Sequence, residues 1–319
     1  MIRVVKPGLL TTIQDLGRYG YQRFGVLVNG AMDTYSHRIT NLLVGNAESK
    51  ATLEITLIGP HLRFEADTII AIGGADLSPT IDGNPIQLWR PHTIKRGQNL
   101  TFGTVKSGCR AYIAVAGGWL VPSVMNSAST YLRCHLGGFY GRPLQKGDQL
   151  KYSSPANLLT SIEPNWTLSD DLLPRFHDNA VIQVMRGCQF EKFSKDSQYH
   201  LFSHNFEVTP HSDRMGYRLN GPQLKQLQTS EMLSEAVSYG TIQVPADGNP
   251  IILLADRQPT GGYPKIAQIA SVDFSKIAQV KPGDKITFKE INHEEAQRQF
   301  LKIERKIHYA KQGIMFKVK

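Results

Sequence analysis

Two segments are the most informative parts of this chain: His211-Ser-Asp-Arg-Met-Gly-Tyr-Arg-Leu-Asn-Gly-Pro222 and Ser234-Glu-Ala-Val-Ser-Tyr-Gly-Thr-Ile-Gln-Val-Pro-Ala-Asp-Gly-Asn-Pro-Ile-Ile-Leu-Leu-Ala-Asp-Arg-Gln-Pro-Thr-Gly-Gly-Tyr-Pro-Lys-Ile-Ala-Gln-Ile-Ala270. Three runs in the second segment, residues 241–244, 251–255 and 266–270, are short and apolar. Short apolar runs bounded by glycine and proline are typical of buried strands. The two segments therefore predict a β-rich fold.

Polar side chains interrupt these predicted strands. Charged groups beside apolar strands cost several kcal/mol if they are buried without partners, so they must pair with one another or line a hydrated cleft. We expect a small-molecule site here, with Asp213, Arg214 and Glu235 as catalytic candidates. The candidates for substrate binding in this region are Ser212, Arg218, Asp256, Gln258 and Thr260.

Composition limits the class of protein. The chain has 319 residues, of which 41% are hydrophobic and 20% charged, which is typical of a soluble globular protein with two domains. No apolar stretch is long enough to span a bilayer, and Arg3 and Lys6 interrupt the apolar N-terminus, so we expect a cytoplasmic protein without a secretory signal. The three cysteines form no C-x-x-C pair, and no metal site is predicted.

Much of the net charge of +9 lies in residues 298–319, which hold seven basic residues and one acid, or 7 − 1 = +6. The chain has no base-reading motif, so we expect no nucleic-acid partner. A solvated helix face or a surface for an acidic partner protein is the preferred interpretation.

Residues 94–102, 144–152 and 280–288 share one pattern, in which a glycine turn leads into alternating apolar and polar residues. This pattern is typical of a tight turn that enters a half-buried strand. Because it occurs in both halves, we expect two mainly β lobes in tandem. The predicted bounds are 1–165 for the first lobe, 166–291 for the second, and 292–319 for a basic C-terminal helix and tail.

Few helices are expected. Asp33 can cap a helix over 34–44, and Gly45 can end it. Asn292 and Glu295 form a capping box for the C-terminal helix, and Gly313 is expected to end that helix. Its predicted apolar stripe contains Ala296, Phe300, Ile303 and Ile307.

A second polar cluster follows the N-terminal strand, where Gln14, Asp15 and Arg18 alternate with glycines. Either Asp15 and Arg18 pair locally and hold a turn, or they present donors and acceptors to an amide or carboxylate ligand. Under the second interpretation, Asp15 and Arg18 are catalytic candidates, and Gln14 and Asp33 are candidates for substrate binding. We expect both polar clusters to converge on one shared hollow.

Several ordered motifs match a known family. They are G-L-L-T-T-I-Q-D-L-G-R-x-G (8–20), G-A-M-D (30–33), N-x-L-V-G-N (41–46), L-E (53–54), Y-I-A-V-A-G-G (112–118), S-T-Y-L-R…L-G-G-F-x-G-R (129–142) and 212–269. The chain resembles the biotin-dependent carboxyltransferase/allophanate hydrolase subunit 2 family over about residues 2–290. Arg133 of the Y-L-R motif is a further candidate for substrate binding.

The resemblance implies cyclophilin-like β-barrels in both lobes. It implies a role as the C subunit of a multi-subunit, ATP-dependent 5-oxoprolinase, a hydrolase of a cyclic amide. The implied partners are a subunit 1 protein, which is the B subunit of that enzyme, and an A subunit of the LamB/YcsF type. ATP would bind somewhere in this complex, and biotin would enter only if another protein carried it.

Two other functions stay open under the same resemblance. The chain would be the carboxyltransferase component of a biotin-dependent urea or amide carboxylase, or a regulatory protein that binds and antagonises its subunit 1 partner, as in sporulation control. The amide substrates share an O=C–NH group. Asp15, Asp213 or Glu235 would accept its N–H or act as base, while Arg18, Arg214 or Arg218 would stabilise charge on oxygen.

One segment departs from the family pattern. The family has L-G-S-R-S-T where this chain has Met125-Asn-Ser-Ala-Ser-Thr130, so Asn126 replaces a glycine and Ala128 an arginine. If that arginine grips a carboxyl or phosphoryl group, its loss predicts weaker activity or another substrate, which is the interpretation we favour. If it braces the loop, both changes are neutral.

Overall fold

The computed structural model of the chain describes residues 1–153, 167–228 and 232–317. The chain divides into two compact units. Unit 1 contains Met1–Arg18, Asn29–Arg175 and Glu304–Lys319, and unit 2 contains Tyr19–Val28 and Phe176–Ile303. The predicted lobe boundary near residue 165 lies outside the described residues, so the predicted domain bounds stay a prediction.

Unit 1, in its described residues, forms two sheets, the helix α1 (Thr34–Leu43) and the end of the C-terminal helix from Glu304 onward. Its elements are β1 Ile2–Lys6, β2 Leu10–Gln14, α1 Thr34–Leu43, β3 Thr52–Thr56, β4 His61–Phe64, β5 Thr68–Asp76, β6 Thr80–Ile81, β7 Asn84–Pro85, β8 Pro91–Ile94, β9 Asn99–Thr101, β10 Ser107–Val115 and β11 Gln149–Leu150. One sheet has the order β11-β1-β4-β9-β6-β7 and the other β2-β3-β10-β5-β8. Both sheets supply side chains to one buried core, which includes Ile2, Phe64, Leu53, Ile72 and Ile113.

Unit 2 is built around a closed barrel. Its elements are β12 Asn179–Arg186, α2 Lys195–Ser203, β13 Phe206–Val208, β14 Gly216–Asn220, β15 Glu235–Ala236, β16 Thr241–Gln243, β17 Ile251–Leu253, β18 Thr260–Gly261, β19 Lys265–Ile269, α3 Phe274–Ala278 and β20 Lys285–Glu290. The barrel has the order β12-β19-β16-β17-β14-β13-β20. Strands β12 and β20 pair in parallel and close it. A separate ribbon pairs β15 with β18.

The fold confirms the prediction of a mainly β protein with few helices and a C-terminal helix, α4 (His293–Lys317). The three apolar runs of the opening segment form β16, β17 and β19 within one to two residues of the predicted bounds. No helix within residues 1–153, 167–228 and 232–317 is long and apolar enough to cross a membrane.

The repeated glycine turns have one geometry. Gly97, Gly147 and Gly283 have φ angles of 91°, 95° and 90°. In each turn the residue after the glycine donates its N–H to the carbonyl three residues earlier, at 3.1, 3.2 and 3.1 Å. This is the type II turn, whose third position requires a positive φ and therefore favours glycine.

The predicted caps of α1 are confirmed. Asp33 accepts a hydrogen bond from the N–H of Ser36, and Gly45 adopts a φ of 73° just beyond the helix. In α4, Asn292 accepts from the N–H of Glu295 at 2.8 Å, as the capping box requires.

Two details of the C-terminal helix differ from the prediction. The helix continues through Gly313 to Lys317, because a helical glycine costs only about 1 kcal/mol and the buried Ile314 anchors the next turn. Phe300 is 39% exposed and therefore lies outside the buried stripe, which contains Ala296 and Ile307.

Part of the basic charge of α4 is neutralised within unit 1. Glu304 accepts two hydrogen bonds from Arg38 on α1, and the carboxylate of Glu48 accepts from both Arg38 and Lys311. Lys306 forms an ion pair with Asp171 at 2.9 Å. The tail is thus partly a docking element of its own chain.

Candidate functional site

The carboxylate of Asp15 is surrounded by donors in unit 1. Asp15 follows β2, and its Oδ1 accepts from the N–H of Gly17 and from the hydroxyls of Ser127 and Ser129, at 2.8, 2.7 and 2.5 Å. Its Oδ2 accepts from the N–H of Ala128 at 2.6 Å. Four donors therefore fix this carboxylate as an acceptor inside a loop.

Arg18 is buried and donates hydrogen bonds to the same loop. Its side chain has 0% exposure. Its guanidinium donates to the carbonyls of Val124 and Ser129, at 3.0 and 2.8 Å, and to Oδ1 of Asn29 at 2.9 Å. Asp15 and Arg18 both hold residues 124–129 through these contacts. Neither alternative for the pair is thereby decided. A catalytic role for either stays a prediction.

The segment that departs from the family pattern is a two-residue hairpin. Val124 and Ser127 exchange backbone hydrogen bonds of 2.8 and 3.3 Å, and the two residues between them, Met125 and Asn126, have φ angles of 52° and 59°. This is a type I′ turn, which favours Asn and Gly because both central residues need a positive φ. The family glycine at position 126 is thereby explained, and asparagine is an acceptable replacement.

Two other predicted residues of unit 1 are buried, and one is exposed. Gln14 donates to the hydroxyl of Thr12 and to the carbonyl of Thr130, at 3.1 and 3.3 Å. Its buried Oε1 has no partner among the described residues. Asp33 is occupied as the cap of α1, while Arg133 lies exposed in the 3-10 turn Leu132–Cys134.

Three buried polar residues next to Asp33 were not among the candidates. Strand register places Glu54 beside Tyr112 on β3 and β10. Oε2 of Glu54 accepts from the Tyr112 hydroxyl and from the N–H of Met32, both at 2.8 Å, and the Tyr112 hydroxyl accepts from the N–H of Asp33. Glu54 and Tyr112 belong to the L-E and Y-I-A-V-A-G-G motifs, which were the available signal.

His37 is the third of these residues. Its Nδ1 lies 2.9 Å from the Thr52 hydroxyl, and its buried Nε2 has no hydrogen-bond partner among the described residues. Burial lowers the pKa of His37 to about 4, against the opposing pull of the Asp15 and Glu54 carboxylates. Burial also raises the pKa of the Tyr112 hydroxyl well above its usual value. Both groups are therefore neutral near pH 7.

In unit 2, Arg214 and Asp256 form a buried ion pair. Nε of Arg214 lies 3.0 Å from Oδ2 of Asp256, and Nη2 lies 3.1 Å from Oδ1. The two side chains are only 5% and 9% exposed. This bidentate geometry joins the loop before β14 to the turn after β17.

Asp213, Ser212 and Arg218 lie around the start of β14. Oδ1 of Asp213 accepts from the N–H groups of Met215 and Gly216, at 2.7 and 3.3 Å. The Ser212 hydroxyl accepts from the backbone N–H of Arg218 at 3.1 Å. Arg218 itself is exposed.

Glu235 and Thr260 lie on opposite strands of the β15–β18 ribbon, in which Glu235 pairs with Gly261 and Ala236 with Thr260. The carboxylate of Glu235 accepts from Nζ of Lys265 at 2.7 Å. Lys265 lowers the pKa of Glu235, so this carboxylate is ionised near neutral pH. Gln258, which lies between Asp256 and β18 in the sequence, has a half-buried side chain.

The structure therefore groups the candidates into separate clusters. Asp15, Arg18 and Gln14 lie at the end of β2, and Asp33 joins the Glu54–Tyr112 cluster. Arg214 pairs with Asp256, and Glu235 and Thr260 lie on the two paired strands of the β15–β18 ribbon. The expected shared hollow stays a prediction, because the two sets of residues belong to different units. Within the described ranges there is no group of three or more His, Cys, Asp or Glu that could hold a metal ion.

The chain belongs to the family described as "Carboxyltransferase domain, subdomain A and B", whose model matches residues 24–290. The resemblance inferred from the motifs is thereby confirmed.

The relatives of this chain fall into two groups. It is 38% identical over 296 residues to the 5-oxoprolinase C subunit of Haemophilus influenzae and 37% identical to that of Escherichia coli, covering 93% of each chain in both cases. It is 34% identical to the urea amidolyase of Saccharomyces cerevisiae, covering 92% of this chain and 17% of that protein.

Solved structures similar to this chain include two enzymes of the urea amidolyase and urea carboxylase type. The urea carboxylase of Kluyveromyces lactis matches 98% of this chain with a TM-score of 0.91 and 33% identity, and the urea amidolyase of K. lactis matches 97% with a TM-score of 0.90. The chain spans 29% and 20% of those two proteins. The similarity therefore covers one part of each large enzyme.

Proposed function

We propose that the chain is the C subunit of an ATP-dependent 5-oxoprolinase, which opens 5-oxo-L-proline with ATP and water to give L-glutamate. The observation that carries this proposal is the match to two 5-oxoprolinase C subunits over 93% of both chains. A match over nearly the full length of both proteins indicates the same module, used as a separate subunit.

The proposal includes partners. A subunit 1 protein (the B subunit) and an A subunit of the LamB/YcsF type complete the enzyme, and we place the complex in the cytoplasm. ATP is a co-substrate of the complex. The buried guanidinium groups of Arg18 and Arg214 already have protein partners, Arg18 with backbone carbonyls and Arg214 with Asp256, so we assign neither to the ATP phosphates.

The lactam substrate needs an acceptor for its N–H and donors for its carbonyl oxygen. Glu235 supports the first role, because its carboxylate is exposed and ionised. Asp213 is a second candidate for accepting the lactam N–H. The two backbone donors that contact its carboxylate both bind Oδ1, so Oδ2 is the oxygen that would accept from the substrate. The exposed Arg218 supports the second role, since a guanidinium stabilises developing negative charge on oxygen.

The test is ATP-dependent release of glutamate by the three co-expressed subunits. We expect no turnover when this chain is omitted, and Asp213→Asn and Glu235→Gln each to lower kcat by roughly 100-fold or more if the carboxylate acts as base. Lys289→Gln, an exposed change on β20, is the control. Full activity of both carboxylate variants would contradict these roles.

A second candidate is a carboxyltransferase component of a biotin-dependent urea or amide carboxylase. The structural match to K. lactis urea carboxylase favours it. Biotin would then arrive on another protein, because this chain has no lysine in a Met-Lys-Met context. Transfer from carboxylated biotin to urea, without any turnover of 5-oxoproline, would select this function. Binding of the subunit 1 protein with neither activity would select the regulatory role.

A further inference from the structure

Arg257 lies in the turn that follows β17 and is absent from the clusters described above. Its backbone N–H and its Nη1 both donate to the carbonyl of Leu254, each at 3.2 Å. Its Nε points to the carbonyl of Val237 at 3.5 Å. These contacts occupy Nη1 and Nε and fix the direction of the guanidinium. Nη2 has no hydrogen-bond partner among the described residues.

The neighbouring carboxylate is already used. Asp256, the preceding residue, is held by Arg214 through two hydrogen bonds of 3.0 and 3.1 Å. Within residues 1–153, 167–228 and 232–317, Arg257 has no carboxylate partner. Burial lowers the pKa of the Arg257 guanidinium, because a charge removed from water loses hydration. A half-buried cation in this state is stabilised by any anion that reaches it.

The phenolic groups of Tyr19 and Tyr239 oppose the effect of burial on the pKa of Arg257. Tyr239 is held in place, because its carbonyl accepts from Nε2 of Gln268 at 2.8 Å and its ring packs on Phe274 at 4.5 Å between centroids. Tyr19 is 67% exposed, so a ligand reaches this region from solvent. Phenolic hydroxyls near a guanidinium are suitable second donors for a carboxylate oxygen.

We infer that Arg257, with Tyr19 and Tyr239, forms a binding site for the carboxylate of a small organic acid. Under the proposed function, on which this assignment of the ligand rests, the acid is the substrate 5-oxoproline. Nη2, the nitrogen without a partner among the described residues, supplies charge-assisted N–H donors to the carboxylate oxygens. Arg257 is thus a specificity residue: it selects lactams that carry an acid group.

The selectivity follows from comparing two ligands. 5-Oxoproline and 2-pyrrolidinone share the five-membered lactam, but only the former has a carboxylate. Loss of one charge-assisted contact in a partly buried site weakens binding by roughly 10- to 100-fold. Arg257 should therefore determine the preference between these ligands without altering the chemistry of the lactam.

The experiment measures KM for 5-oxoproline in the three-subunit complex. We expect Arg257→Gln to raise KM by roughly 10- to 100-fold with little change in kcat, and Arg257→Lys to raise it less. Tyr19→Phe, an exposed change that does not threaten folding, should raise KM a few-fold. Arg186→Gln is the control, because Arg186 already pairs with Glu290. Wild-type KM in Arg257→Gln and Tyr19→Phe would overturn the inference.

A direct binding measurement separates this inference from the proposed function. The full chain is titrated with 5-oxoproline and with 2-pyrrolidinone by calorimetry, for the wild type, Arg257→Gln and Tyr19→Phe. Binding of the acid alone, lost in Arg257→Gln, supports the site even if the complex has no 5-oxoprolinase activity. No preference for the acid in the wild type overturns the site even if the complex is active.

Discussion

The backbone N–H of Ala128 donates to Oδ2 of Asp15 at 2.6 Å. Ala128 stands where the family has an arginine, whereas Asp15 belongs to a motif that matches the family. The contact uses only the backbone of residue 128, so the hairpin keeps its anchor whatever side chain that position carries. The side chain of Ala128 packs against the edge of the unit 1 core.

The hairpin turn predicts a stabilising substitution. Met125 and Asn126 both have positive φ, and Asn-Gly is the preferred sequence for this turn type. We expect the double change Met125→Asn with Asn126→Gly to raise the free energy of unfolding by about 0.5–1 kcal/mol. Asn126→Val should lower it by about 1–2 kcal/mol, because a β-branched residue is strained at positive φ. Urea unfolding of the three proteins measures both effects.

Gly137 tests the packing of the loop on Arg18. An added Cβ would lie 2.2 Å from the carbonyl oxygen of Ser129 and 2.7 Å from Nη2 of Arg18, the two groups that bond to each other. We expect Gly137→Ala to destabilise the protein by about 3 kcal/mol. Gly147→Ala is the matched control, since Gly147 also has a positive φ but no atom within 4 Å of its added Cβ. Equal losses in the two variants would show that backbone strain alone matters.

His37 predicts a pH dependence of stability. Burial lowers its folded-state pKa from 6.5 to about 4, so between these values the unfolded chain binds the proton that the folded chain does not. Stability should therefore fall as the pH decreases from 6.5 to 4, by roughly 3 kcal/mol from this group. His37→Asn should remove this component of the slope in urea unfolding at several pH values, and His177→Asn serves as the exposed control. An unchanged slope in His37→Asn would refute the assignment.

The Arg214–Asp256 pair predicts strong coupling between two substitutions. Removing one partner leaves a charge buried without its counterion, so Asp256→Asn and Arg214→Met should each cost about 3–5 kcal/mol of unfolding free energy. The double variant should cost clearly less than the sum, because no unpaired charge remains. A double-mutant cycle by chemical denaturation gives the coupling, and simple additivity would contradict a direct ion pair.

Much of the fold could be predicted from local sequence. Short apolar runs identified β16, β17 and β19, a glycine turn followed by alternation identified the entry into β20, and Asp33 identified the start of α1. The predicted end of α4 at Gly313 was wrong, because a single glycine terminates a helix only weakly when the next turn is anchored by a buried side chain, here Ile314.

The clusters were harder to predict for a physical reason. Asp15 meets Ser127 and Ser129, which are 112 and 114 residues away in sequence, so no local pattern connects them. Glu54 and Tyr112 meet only through the register of β3 and β10. Arg257 was visible as a charge in a polar loop, but its unused donors become evident only once Asp256 is known to pair with Arg214.

The chain path through the two units constrains biosynthesis. Unit 1 takes its last segment, from Glu304 onward, after every residue of unit 2 has been synthesised, and unit 2 takes Tyr19–Val28 from near the N-terminus. A ribosome that has translated residue 175 has therefore released neither unit in full. The ion pairs of Arg38 with Glu304 and of Glu48 with Lys311 can therefore form only after the segment from Glu304 onward has been synthesised.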